Sequence, residues 1–315
     1  MTFALFLSAC ISGTAQSPTP NGQWVLKLGN RTLLVLSINP TSSLTQPASG
    51  SLARPRHFQT SDAWSFSHIS GPIETAPIVN SAWKGSTLSI TIQNPGDPDN
   101  KDIFLVTFKD GAHAQLQYDG FPLPPMDLTR AEGVSLVSTD WDEDKVYSPD
   151  DGLLPNPEMK RIFEEDQRVR QPDKKMDWIP VNKSDVERRQ AVTKLLNDGL
   201  LHTGEDFGWA AFVFQHGSMP DDYLLAHTLA IVALRKGYGD ALWIATATLD
   251  RYLQSIKQPQ IYGTQFLTPQ NQPTSQDPYN RALISDSIRR QLGVPTQAAQ
   301  EAQRKQYDTQ RGIGK

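Results

Sequence analysis

Gln23-Trp24-Val25-Leu26-Lys27-Leu28-Gly29-Asn30-Arg31-Thr32-Leu33-Leu34-Val35-Leu36-Ser37-Ile38 consists of two apolar runs rich in branched and aromatic residues, separated by a Gly-Asn pair. Such runs read as strands, and the pair reads as the turn between them. The pattern continues outward. Ala63 to Ile69, Ile78 to Trp83, Thr87 to Gln93, Ile103 to Phe108 and Ala114 to Tyr118 share this composition, with Gly85-Ser86, Asn94-Pro95-Gly96-Asp97 and Asp110-Gly111 as turns. Seven or eight short strands at this spacing predict a small antiparallel β-barrel or sandwich over residues 22–129. Phe121-Pro122-Leu123-Pro124-Pro125 should end its strand region, because prolines in series cannot donate to a ladder.

Residues 130–155 are acidic, carry Pro and Gly, and read as an interdomain linker. Asp140-Trp141-Asp142-Glu143-Asp144 lacks the alternating oxygen ligands, central glycine and distal glutamate of a calcium loop, so a solvated linker is the plainer reading. From Asn156 the apolar period becomes helical. Helices are predicted from Asn156 to Arg170 (Pro157 at its first position, Pro172 beyond it), Ser184 to Asp198, Asp206 to His216, Asp221 to Lys236, Asp240 to about Ile256 and Arg281 to Leu292. The segment Asp206 to His216 is apolar nearly all round and must be buried. Thr203 and Asp206 resemble a capping box at its start, and Gly217 suits a left-handed residue at its end. In the Ser184 helix Val186, Val192, Leu195 and Leu196 should face inward, and in the last helix Ile284 and Ile288. The tail 296–315 is nearly devoid of apolar residues and reads as a frayed helix or disorder. The fold class is therefore α+β in two domains, an N-terminal antiparallel β-barrel or sandwich followed by an all-α helical bundle over 156–295.

With 315 residues, 38% of them hydrophobic, the chain has material for two cores. A net charge of −4 leaves no basic excess to hold a nucleic acid backbone. The run Tyr223 to Leu234 is too short to span a bilayer, which takes about 20 apolar residues, so no transmembrane helix is expected. Cys10 is the single cysteine and has no internal disulfide partner. Thr2 to Ala9 is apolar, and Leu7-Ser8-Ala9-Cys10 resembles the lipobox of bacterial lipoproteins. That resemblance implies a signal and tether over 1–21, lipidation of Cys10, and an exported protein, membrane-anchored or periplasmic; Ile11 after the cysteine would suit outer-membrane delivery. No Lys or Arg precedes Cys10, whereas export signals open with positive charge, so an ordinary N-terminus remains the alternative.

Gln215-His216, Asp250-Arg251 and Gln260-x-Tyr262-Gly263-Thr264-Gln265, preceded by Glu165-Asp166-Gln167-x-x-Arg170 and Asp185-x-x-x-Arg189, form a motif series. The series resembles a family of bacterial proteins catalogued as a domain of unknown function, over about residues 156–266. The resemblance implies a helical domain and carries no established activity. Where that family has Ala-Asp after its Gln-His pair this chain has Gly217-Ser218, so Asp221 or Asp222 would have to supply the acid. The Gly22-x-Trp24 opening is loosely similar to that of lipocalin-type barrels.

His216, at a buried helix end, can act as acid, base or ligand; its plainer role is to cap carbonyls of its own helix. Asp166 and Asp250 are the acids that could orient it. Arg170 and Arg251 could bind an anion, and Gln215, Tyr262, Thr264 and Gln265 could face a ligand. Equally, Asp166–Arg170 and Asp185–Arg189 are ordinary i, i+4 pairs, and the Tyr262–Gln265 turn suits a buried closure. His227 has no second ligand four residues on and reads as a core histidine. No zinc signature, P-loop, nucleophile elbow or dinucleotide fingerprint is present, so no metal or cofactor is indicated. Two functions follow. One is a cell-envelope binding or scaffolding protein whose β domain docks a protein or small-molecule partner. The other is a hydrolase-like enzyme with His216 as general base and an arginine-lined site for an anionic substrate. For the β domain a docking role is the plainer reading, and a barrel with a ligand cavity the second.

Overall fold

The computed structural model describes residues 20–40, 46–62, 64–94, 99–170 and 178–313. Cys10, Ala63, most of the Asn94–Asp97 turn and Pro172 lie outside the described residues. The chain divides into two compact units, Met1–Gly152 and Leu153–Lys315.

The first unit is a closed barrel, not a sandwich. Its strands β1 (Gly22–Leu28), β2 (Arg31–Ile38), β3 (Gly50–Thr60), β4 (Phe66–Lys84), β5 (Thr87–Gln93), β6 (Lys101–Phe108), β7 (His113–Tyr118) and β8 (Met126–Arg130) pair in chain order, and β1 returns to β8. All pairings are antiparallel. Alternation sets the inward face: Leu88, Ile90 and Ile92 of β5, and Phe104, Val106 and Phe108 of β6, enter the core while their neighbours face out. In β1 and β2 the apolar runs are continuous because the outer face is covered too. Val137 packs on Val25 and Val35, Ala131 N donates to Gln23 O (2.9 Å), and Ser138 N donates to Thr32 O (2.9 Å). The acidic stretch expected as a linker therefore lies for much of its length on the barrel. Tyr147, 1% exposed, pairs with Phe66, and Arg31 pairs with Asp140 at 3.0 Å.

Three strand expectations change. β3 escapes a reading by pattern because Ser51-Leu52-Ala53-Arg54-Pro55-Arg56-His57 lacks a period of two, yet it pairs along β4 with its register broken between Pro55 and His57. Such an irregularity accommodates a proline in a sheet. The two strands expected at 63–69 and 78–83 are one 19-residue strand, β4. The proline series does not end the sheet: β8 follows it, with Met126 and Leu128 inward.

The second unit contains, among the described residues, the helices α1 (Pro157–Arg168), α2 (Trp178–Asn197), α3 (Gly204–Phe214), α4 (Pro220–Arg235), α5 (Ala241–Ser255), α6 (Asp286–Gln291) and α7 (Gln297–Gln310). Asn156 caps α1 through Glu158 N and Met159 N, and Thr203 and Asp206 form a capping box on α3. Met159, Ile162, Val192, Leu195, Ala210, Ala211, Phe214, Ala230 and Ile244 make one core. α2 starts before Ser184, which therefore caps nothing, and Val186, expected inside, is 45% exposed. α6 starts at Asp286 behind the Ser285 cap. Its buried residue is Arg289, while Ile288 faces out. The tail expected to fray is the helix α7, held by polar contacts instead of an apolar face. Gln300 is buried, and Arg304 pairs with Asp308, which accepts from Thr274 N. Gly217 does not have a positive φ. It is needed for close approach, since a Cβ there would lie 2.2 Å from Asp222 Cβ. No described helix is long and apolar enough to cross a membrane.

Candidate functional site

Two regions hold chemistry, one in each unit. In the barrel, a cavity of about 950 Å³ opens toward the end where β1–β2, β3–β4 and β7–β8 turn. That volume falls in the ~300–1,000 Å³ range of small-molecule sites. Leu26, Leu33, Phe58, Phe104 and Met126 supply apolar wall, and Phe121, 55% exposed, stands in the lining as well. The opposite end is closed by Trp24, fully buried against Phe108 (centroids 5.0 Å), with the Arg130 guanidinium 5.3 Å from its ring and its indole N–H donating to Pro20 O. Polar groups also enter the cavity wall. Tyr118 donates to Asp102 Oδ1 at 2.6 Å, and that hydrogen bond, with burial, pushes the phenol up to about 12. Arg54 donates through Nη1 to Pro55 O (3.1 Å) and Arg56 O (3.0 Å), and its guanidinium lies 5.9 Å from the Phe58 ring.

In the helical unit Asp166 is a buried hub. Arg170 Nη1 donates to it at 2.8 Å, Gln167 Nε2 at 2.9 Å, and Arg188 Nε stands 3.3 Å away without hydrogen-bond geometry. His216 Nδ1 is 3.2 Å from Oδ1 of the same carboxylate. A carboxylate at Nδ1 favours the tautomer protonated there and leaves Nε2 as the acceptor of a neutral ring. The His216 side chain is 19% exposed, so the ring is not sealed. Arg170 spans to Asp185 with two 2.6 Å bonds, and Arg188 also donates to Asp185. Burial opposes the Asp185 charge, but these arginine hydrogen bonds outweigh it and hold the carboxyl below its usual range. The i, i+4 pair expected with Arg189 does not form.

Arg189 instead caps α3, donating through Nη1 to His216 O (3.0 Å). Arg251 Nη1 donates to Gln215 O (2.8 Å), and Tyr223 OH donates to Gly217 O (2.8 Å). Three side chains from α2, α5 and α4 thus satisfy carbonyls that a helix end leaves open. The His216 imidazole does not have to cap its own helix. Its backbone carbonyl is satisfied by Arg189, and its ring turns to Asp166. Asp222 closes the other side of this turn, accepting from Ser218 N and Met219 N.

Asp250 sits elsewhere and has a different role. Fully buried on α5, it accepts from Ile261 N (2.7 Å), Tyr262 N (3.0 Å), Thr264 N (2.9 Å) and Thr264 Oγ1 (2.8 Å). Gln265 accepts from Arg251 Nε (3.2 Å) and donates to Ala247 O (3.1 Å). Burial lowers the Arg251 guanidinium and raises the Tyr262 phenol, the latter helped by Asp250. Behind the loop, Gln260 accepts from Gln265 N, Gln276 donates to Gly263 O (2.6 Å), and Gln300 donates to Tyr262 O (2.8 Å). Gly263 has φ +80°, and a Cβ there would lie 2.2 Å from Gln300 Oε1. His227 Nδ1 lies 2.8 Å from Ala245 O, as a core histidine would.

The structure thus brings Asp166, Arg170 and His216 together, and Asp250, Arg251, Thr264, Gln265 and the backbone of Tyr262 and Gln215 into a second set. Sequence reasoning misses Arg188, the glutamines 260, 276 and 300 as a set, and the cavity residues Arg54, Asp102 and Tyr118. Alternation in β6 and β7 would have turned Asp102 and Tyr118 toward Phe104 and Leu116, but no local pattern marks β3. Among the described residues no three His, Cys, Asp or Glu side chains are arranged to hold a metal ion. No family model, curated protein or solved structure matches this chain.

Proposed function

We propose that this chain is a small-molecule-binding protein of the bacterial cell envelope, its barrel holding the ligand and its helical bundle serving as a scaffold. The observation that supports it is the 950 Å³ cavity, open at one end and closed at the other by Trp24. Eight strands enclose just enough space for one small ligand. The motif series then acts as internal fastening, a reading supported by its hydrogen bonds to backbone. Envelope location rests on the lipobox-like Leu7-Ser8-Ala9-Cys10. Uptake of the uncharged dye N-phenyl-1-naphthylamine by the full chain tests the cavity. Leu33→Trp, which fills it, should abolish the fluorescence gain, and a parent chain that takes up no dye would overturn the reading. Labelled palmitate should enter the parent in bacterial cells and not Cys10→Ser.

A hydrolase-like activity is the second reading, favoured by His216 Nδ1 on the buried Asp166 carboxylate, an arrangement that would leave Nε2 free as a general base. A thermal-shift screen with phosphorylated metabolites and cell-wall fragments, run beside His216→Ala, separates the two. A ligand that stabilises the parent and not the variant supports the enzyme.

A further inference from the structure

Among the described residues, one of the two arginines lining the barrel cavity makes no ion pair. Arg56 is engaged by Glu74 at 2.6 Å, and Asp102 accepts from Tyr118 OH. Glu143 lines the cavity too, and His57 and His68 stand in its wall, the latter in contact with Ser67 Oγ. Arg54 is different. Both of its hydrogen bonds leave from Nη1 and end on backbone carbonyls, and among the described residues no carboxylate comes within 4.0 Å of it. Among those residues, Nε and Nη2 find no hydrogen-bond acceptor. They form one edge of the guanidinium plane, the edge that takes a carboxylate or phosphate through two parallel bonds. Leu26, Leu33, Phe104 and Met126 line the same cavity and can hold no polar group in return.

Resting on the ligand-binding reading above, we propose that the cavity takes an amphiphile with a single anionic head, the head seated on the Nε–Nη2 edge of Arg54 and the apolar body against Leu26, Leu33, Phe104 and Met126. A guanidinium offers a positive charge and a planar fork of donors, so the preference for an anion is built into the wall. Asp102, which accepts from Tyr118, and Glu74, opposite Arg54 in the register of β3 and β4, both stand beyond ion-pair distance of its guanidinium, so neither occupies that edge.

The test displaces N-phenyl-1-naphthylamine from the full chain with dodecanoate, dodecyl phosphate and dodecanol, which share a tail and differ in the head. At least one of the two anions should bind roughly tenfold or more tightly than the alcohol, and the tighter of the two names the head group. In Arg54→Met the preference should vanish while dodecanol binds as before, which also shows that the variant's barrel is intact. Arg54→Lys, with charge but no planar edge, should keep part of it. Equal binding of all three ligands to the parent, or a preference that survives Arg54→Met, overturns the proposal and leaves the cavity reading standing. A parent that takes up neither dye nor ligands overturns both.

Discussion

Replacing Asp250 with alanine removes the α5 side chain that accepts from the backbone of the loop 261–265. Three backbone N–H groups and the Thr264 hydroxyl lose their partner together. Hydrogen bonds to a charged group contribute about 1.5–3 kcal/mol each, so simple addition would give upwards of 6 kcal/mol. That sum is too large. Ile261, Tyr262 and Thr264 are only partly buried, and water can reach some of the freed donors. A cost of roughly 3–5 kcal/mol remains, the range for breaking a buried charged contact from one side. Asp250→Asn keeps an oxygen for Ile261 and Tyr262 but turns an N–H₂ toward Thr264 N, and should cost about half as much. Urea unfolding of the full chain, followed by ellipticity at the helical wavelength, measures both. An Asp250→Ala chain within about 1 kcal/mol of the parent would show that the loop is not held by this carboxylate, and the fastening role assigned to the motif would fall with it.

Three further outcomes are expected. In an ultraviolet titration Tyr118 should ionise only near pH 12, and Asp102→Asn should bring it back toward the ordinary value, since the hydrogen bond to Asp102 leads the shift. The carboxyl of Asp185 is lower when folded than when unfolded, so its contribution is present above the unfolded value of about 3.9 and is lost as pH falls through the folded one. Asp185→Asn should therefore flatten the acid limb of the stability profile, besides destabilising the chain at neutral pH by leaving Arg170 and Arg188 short of a partner. Gly263→Ala puts a Cβ at positive φ against Gln300 and Tyr279, and should cost at least ~2 kcal/mol, read as an earlier melt and faster proteolytic release of α7.

What can be read from the sequence is local. The hairpin of β1 and β2, the Thr203–Asp206 box and the stop at Gly237 each depend on residues within a turn of one another, and each stands where the sequence predicts it. What cannot be read depends on distant partners. β3 is a strand because β4 lies beside it, and Pro55 is tolerated because the register breaks there. α7 has no apolar stripe, so periodicity gives no reason to fix it in place; Gln300 fixes it, through the carbonyls of Tyr262 and Pro295. The motif residues are legible as a set, but their division between Asp166 and Asp250 is not, because an i, i+4 spacing such as Asp185 and Arg189 cannot reveal that each finds a better partner on another segment.

The barrel closes on a narrow seam. β5 and β6 share seven registered pairs, whereas β1 and β8 share Trp24↔Arg130 and Val25↔Thr129. A sheet closed on itself presents no edge on which another chain can template, so the first unit is protected from edge-to-edge aggregation for as long as that seam holds. Arg130 clasps it, lying over Trp24 and donating to Gly111 O and Asn21 O. Opening the seam would uncover two strand edges at once, one of them the most apolar hairpin in the chain. Solubility and fold stability of this unit therefore depend on the same seam, and damage at Arg130 would weaken both.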